Sequence, residues 1–124
     1  MPPDALAILF LVVMGGALAC FWAAFAKRKT LRLHKRLGIS GAVIDLSGTA
    51  VVLVTSRVLG WIVPPHLSGV ATWHRGFAYV ATVLVLLQAV SGMRRWSIHH
   101  KLWVVFLPVY TTTYALAVLA YAPR

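Results

Sequence analysis

Four apolar runs separated by short connectors constrain this chain more than any motif in it. They lie at about Ala5–Ala26, Ile39–Val63, Val70–Met93 and Leu102–Ala122. A helix rises about 1.5 Å per residue, so roughly 20 residues cross some 30 Å of hydrocarbon. Backbone N–H and C=O groups find no water at that depth, so each run must be helical. With basic lead-in turns before the second and fourth runs, the expected helices cover about 5–26, 31–63, 70–93 and 99–122. Pro64 and Pro65 are expected to stop the second. Short connectors make sequence neighbours antiparallel. The expectation is an all-α integral membrane four-helix antiparallel bundle, residues 1–124 forming one domain.

Composition agrees. Charged residues are 11% of the chain, and Asp4 and Asp45 are its two acids. Soluble domains carry about 25% charged residues. The net charge of +10 does not indicate nucleic acid, because the cations crowd into connectors, at the level of lipid headgroups. Lys27, Arg28, Lys29, Arg32, Lys35 and Arg36 surround the first connector, and Arg94, Arg95 and Lys101 the third. Arg57, Arg75 and Arg124 fall on the other side. Nine against three places both termini outside and the first and third connectors in the cytoplasm of a bacterial inner membrane. Trp22, Trp61, Trp73, Trp96 and Trp103 lie near span ends, where indoles favour the interface. Cys20 is the single cysteine, so no internal disulfide forms. Positive charge follows the first run instead of preceding it, so this run reads as a retained span and not a signal peptide.

Helical residues advance about 100° each. His34, Gly38, Gly41, Asp45, Gly48 and Val52 therefore share one face of the second helix. His74, Ala78, Ala81, Val85, Gln88 and Gly92 share one on the third. His99, Trp103, Phe106, Tyr110 and Ala117 share one on the fourth, with His100 about 100° away. The first helix offers Gly15, Ala19 and Ala23, and beside them Gly16, Cys20 and Ala24, as small-residue packing rows. A tightly packed bundle explains the glycines and alanines; it explains the histidines less well.

Depth sorts the histidines. His34 and His99 both lie within about 5–8 Å of the same membrane boundary, and each heads an inward face. They are a candidate axial pair for haem, which needs two protein ligands, with His100 a substitute for His99. A polybasic collar binding anionic headgroups is the competing reading of the same segments. His74 opens the third helix on the opposite side, and His66 precedes it in the second connector. Together they are candidates for a second haem or a copper ion. Asp45 is expensive inside a membrane. It lies about 17 Å along the helix from His34, and with Gln88 it is a candidate for proton relay or for an interior hydrogen-bond network. No carboxylate pair, Ser/His/Asp set or Gly-rich phosphate loop is present, so hydrolytic chemistry is not indicated.

The segments "LHKRLG", "HRGFAYV" and "HHKLWVVFLPVYTTTYALAVLAY" open the second and third helices and form the fourth. In order and spacing they resemble small four-helix bacterial membrane proteins of a domain-of-unknown-function family linked to haem-copper oxidase maturation, over about Leu31 to Tyr121. That resemblance implies roles for His34, His74 and His99 or His100. The family tends to place further histidines where this chain has residues such as Leu59 or Gln88. A broader similarity to membrane b-type cytochromes rests on a histidine near the start of several helices. The expected function is a small subunit or accessory protein of a respiratory or photosynthetic electron-transfer complex, binding haem b. The alternatives are a cofactor-free structural or lipid-binding subunit and, on Asp45 alone, a small transporter. Expected partners are anionic membrane lipids and other membrane subunits.

Overall fold

The computed structural model describes residues 2–124. The described residues form four helices: α1 (Pro3–Ala26), α2 (Leu31–Arg57), α3 (Ser68–Met93) and α4 (Ile98–Tyr121). Each is long and apolar enough to cross a membrane, so the chain is an all-α, multi-pass membrane protein. α1 starts at Pro3, where a missing N–H costs no helical bond and the fixed φ suits the first turn.

α2 ends at Arg57, six residues before the expected Val63. Gly60 takes φ +67, and the Trp61 N–H turns back to the Thr55 carbonyl at 2.9 Å. The glycine therefore reverses the chain before either proline is reached, since residues with a Cβ resist that conformation. α3 ends differently. The Trp96 N–H donates to Ser91 O (2.8 Å) and the Arg95 N–H to Gly92 O (3.3 Å). That is a Schellman cap, but its left-handed position holds Arg95, at φ +54, instead of glycine. Pro108 lies inside α4, which continues through it.

α1 packs along α2 and α3 along α4 as two hairpins. α1 and α4 join the hairpins, and the α2–α3 seam is the sparsest contact. No Cα of α2 comes within 8 Å of α4, so these helices face each other across the bundle diagonal. Side chains fill the gap. Ala17, Phe21 and Ala24 of α1 meet Ala81, Leu84 and Val85 of α3 and Trp103, Phe106, Leu107 and Tyr110 of α4. Phe21 sits at the centre, edge-on to Phe106 at 4.8 Å and to Tyr110 at 5.0 Å. Gly41 admits it, because a Cβ there would lie 2.8 Å from the Phe21 ring.

Two expectations change. The buried face of α1 is Leu6, Ala7, Ala17, Phe21 and Ala24; it shares only Ala24 with the expected rows, in which Gly15 packs on Tyr114 and Gly16 faces open space. Phe21 takes the central place because a large ring fills a four-helix centre that small residues would leave empty. Trp22, Trp61, Trp73 and Trp96 are exposed, but Trp103 is 6% exposed and belongs to the core. Its indole N–H faces the Gln88 amide (3.2 Å) with the amide oriented to accept, so it needs no polar interface.

Candidate functional site

The basic end of the bundle brings His34 and His99 together from diagonal helices. Their ring centroids are 5.9 Å apart with planes 75° to one another. Trp103 packs below both, 5.7 Å from His34 and 6.1 Å from His99. His100 lies 5.9 Å from His99 and is exposed.

Each ring is held by its Nδ1. The last carbonyls of a helix lack intrahelical donors. In the final turn of α1, Ala23 O receives the Lys27 N–H and Phe25 O the Arg28 N–H. Ala24 O receives His34 Nδ1 at 2.7 Å. A carbonyl only accepts, so Nδ1 carries the proton. Neutral His34 then presents its Nε2 lone pair away from α1. His99 Nδ1 meets Ser91 Oγ at 3.2 Å, and Ser91 Oγ donates to Gln88 O at 3.2 Å. With the serine proton so used, His99 Nδ1–H is the donor and its Nε2 is likewise unused. Gly92 makes room for this ring: a Cβ there would stand 2.9 Å from His99 Cε1. Gln88 completes the support, its amide donating to His99 O at 3.3 Å.

This donor set suits a cofactor that brings ligands of its own. Two imidazoles with ring centroids 5.9 Å apart are the residues that would hold such a group. A Nδ1–H anchored on a carbonyl or hydroxyl is the usual second partner of a metal-binding histidine. Among the described residues no group of three or more His, Cys, Asp or Glu could share a metal ion, so a bare ion lacks ligands here. Haem needs only two. Gly38, one turn along from His34, faces open space.

Eleven residues further along each helix lies a second diagonal contact. The Tyr110 hydroxyl donates to Asp45 Oδ1 at 2.6 Å, and both residues are buried. Asp45 follows His34 by eleven residues, and Tyr110 follows His99 by eleven. Eleven residues are close to three whole turns. α2 and α4 start at the same end of the bundle, so one relative placement satisfies both contacts. Those matched intervals are a sequence signal that could have paired Asp45 with Tyr110. Nothing comparable announces Ser91 or the Ala24 carbonyl as partners of the imidazoles, because both depend on how the hairpins close.

The opposite end is simpler. His74 Nδ1 donates to Thr113 O at 2.9 Å, and its ring stands edge-on to Tyr121 at 5.8 Å. His66 is tied in by its backbone, N–H to Ala120 O at 2.7 Å, with its side chain exposed. A copper ion held by His66 and His74 would lack a third protein ligand from a described His, Cys, Asp or Glu. Gln88 and Asp45 belong to separate hydrogen-bonded groups, one under His99 and one at Tyr110.

Comparison of the chain with family models, curated proteins and solved structures gives no match.

Proposed function

We propose that this chain is a small subunit or accessory protein of an electron-transfer complex in a bacterial inner membrane, with His34 and His99 as the two protein ligands of a b-type haem. The reading carries both termini outside and the basic end in the cytoplasm, as the distribution of Lys and Arg suggests. Its main support is the diagonal imidazole pair, each ring anchored through Nδ1 with Nε2 unused. Haem, when bound, would supply one-electron chemistry. The chain's own residues hold and orient. Ala24 O and Ser91 Oγ set which imidazole nitrogen carries the proton. Gly92 admits the His99 ring, and Trp103 backs both imidazoles. His100, exposed beside His99, is the substitute ligand.

The test is the visible spectrum of the purified full chain, oxidised and reduced, together with metal analysis. Haem absorbance is expected, and it should disappear when His34→Ala, His99→Ala and His100→Ala are combined. Haem that survives the triple replacement overturns the assignment. A second reading, a cofactor-free subunit packed in a larger membrane complex, is favoured by one observation. His34 already has a structural task in closing the last turn of α1. A colourless, metal-free preparation that co-purifies with large membrane partners would select it.

A further inference from the structure

The basic end has no protein counter-charge. Lys27, Arg28, Lys29, Arg32, Lys35, Arg36, Arg94, Arg95 and Lys101 gather there. Of the two acids, Asp4 lies in the first turn of α1 at the far end. Asp45 is buried about 17 Å further along α2 than His34 and accepts from Tyr110. These cations must find their anions outside the chain.

They are not equivalent. Arg28 is engaged, its guanidinium 4.4 Å above the Phe25 ring and donating to Phe25 O at 3.1 Å. Arg32 and Arg36 are one helical turn apart on α2 and both exposed. With Thr30 and Leu33 they line a recess of about 320 Å³. Like charges at this spacing repel, and a shared anion removes that repulsion. The Thr30 hydroxyl makes no capping bond to α2, so it is available to a ligand. Leu33 gives the same recess an apolar wall.

Depth names the anion. Arg36 and Arg32 precede the apolar run at Ile39 by three and seven residues, about 4.5 and 10.5 Å along the helix. Headgroup layers extend roughly 5–8 Å beyond the hydrocarbon, so Arg36 borders the level of lipid phosphates and Arg32, just outside it, reaches it with its long side chain. We infer that the recess holds the phosphate of an anionic phospholipid between the two guanidinium groups. Free phosphate has no acyl chains to hold it at the membrane surface. A zwitterionic lipid brings its own cation and leaves the arginines uncompensated. This inference does not depend on the haem reading.

The experiment is native mass spectrometry of the detergent-solubilised full chain, with phosphatidylglycerol and phosphatidylcholine of identical acyl chains offered in equal amounts. Phosphatidylglycerol should be retained preferentially. The Arg32→Gln/Arg36→Gln variant should lose that preference about tenfold, since charge-assisted bidentate contacts are the strong ones. Lys27→Gln/Lys29→Gln removes the same charge outside the recess and should change it less than about twofold. Circular dichroism confirms that each variant remains helical. If the glutamine pair fails to fold, Arg32→Lys/Arg36→Lys carries the test: it keeps the charge, loses the planar fork and should still bind less. Equal loss in the two glutamine pairs, equal retention of the two lipids, full retention in the lysine pair, or displacement of the lipid by inorganic phosphate would each overturn the inference.

Discussion

Removing the Tyr110 hydroxyl tests whether the buried diagonal contact holds α2 to α4. In Tyr110→Phe the ring keeps its place against Phe21 and Phe106, so the change falls on one hydrogen bond, the 2.6 Å contact to Asp45 Oδ1. A buried acceptor left unpaired costs about 1–3 kcal/mol. Interhelical polar pairs in membranes average nearer 0.6, with a maximum of about 1.7, because an unfolded chain within the membrane also finds partners. Asp45 is 3% exposed, which places this pair toward the upper end. We expect Tyr110→Phe to destabilise by about 1–2 kcal/mol, roughly a five- to thirty-fold change in the folded-to-unfolded ratio. Asp45→Ala should cost a similar amount. The double variant should cost clearly less than the two together, with a coupling of about 1 kcal/mol. Unfolding in mixed micelles with rising SDS fraction, followed by circular dichroism, gives all four corners of the cycle. Additivity within about 0.3–0.5 kcal/mol would refute the reasoning: the two residues would then be neighbours without being partners.

Three other outcomes follow from single positions. Arg95→Gly should stabilise the chain by about 1 kcal/mol, since a left-handed residue with a Cβ is strained by roughly 1–2; the same unfolding assay reads it, and no gain would mean the cap carries no strain. Gly92→Ala should displace the His99 ring, whose Cε1 would be 2.9 Å from the new methyl carbon. On the haem reading proposed above, haem retained from detergent extracts should fall severalfold, while far-UV circular dichroism shows the helices intact. Gly15→Ala should cost about 1–2 kcal/mol through overpacking, because the Tyr114 hydroxyl lies 2.8 Å from the added carbon and would lose its bond to Leu11 O. Gly16→Ala, which meets nothing within 4 Å, should be neutral or slightly stabilising.

What could be read without coordinates was whatever depends on neighbours along the chain. Number, type and approximate ends of the helices follow from apolar run length, since the bilayer leaves the backbone no alternative to helix. Inward faces of α2, α3 and α4 follow from the helical repeat, and Gly41, Asp45, Gly48, Val85, Gln88, Trp103, Phe106 and Tyr110 are indeed turned inward. The end of α2 was misplaced because Gly60 acts earlier than the more conspicuous Pro64 and Pro65. Local turn chemistry decided it, and the apolar residues beyond Arg57 concealed it. The α1 face was misjudged for a different reason. In an almost uniformly apolar helix no polar side marks the outside, so nothing in the pattern separates Phe21, at the core centre, from its neighbours.

The remainder depended on how each hairpin turns and on how the two hairpins close against each other. Periodicity sets which way a side chain points from its own helix, but not which side chain stands opposite. That Asp45 meets Tyr110 is a consequence of helix placement across the bundle, while His34 on the last turn of α1 and Ser91 on His99 follow from how each hairpin turns at its connector. Contacts of this kind join residues 10, 8 and 65 positions apart, two of them across connectors and one across the diagonal. Sequence by itself determined a four-span membrane bundle with polar residues turned inward and a basic end. Depth along the helices put His34 and His99 at one level, and tertiary structure decided that they face one another at 5.9 Å, because helix packing, unlike helix formation, is set by surfaces that meet only after the chain has folded.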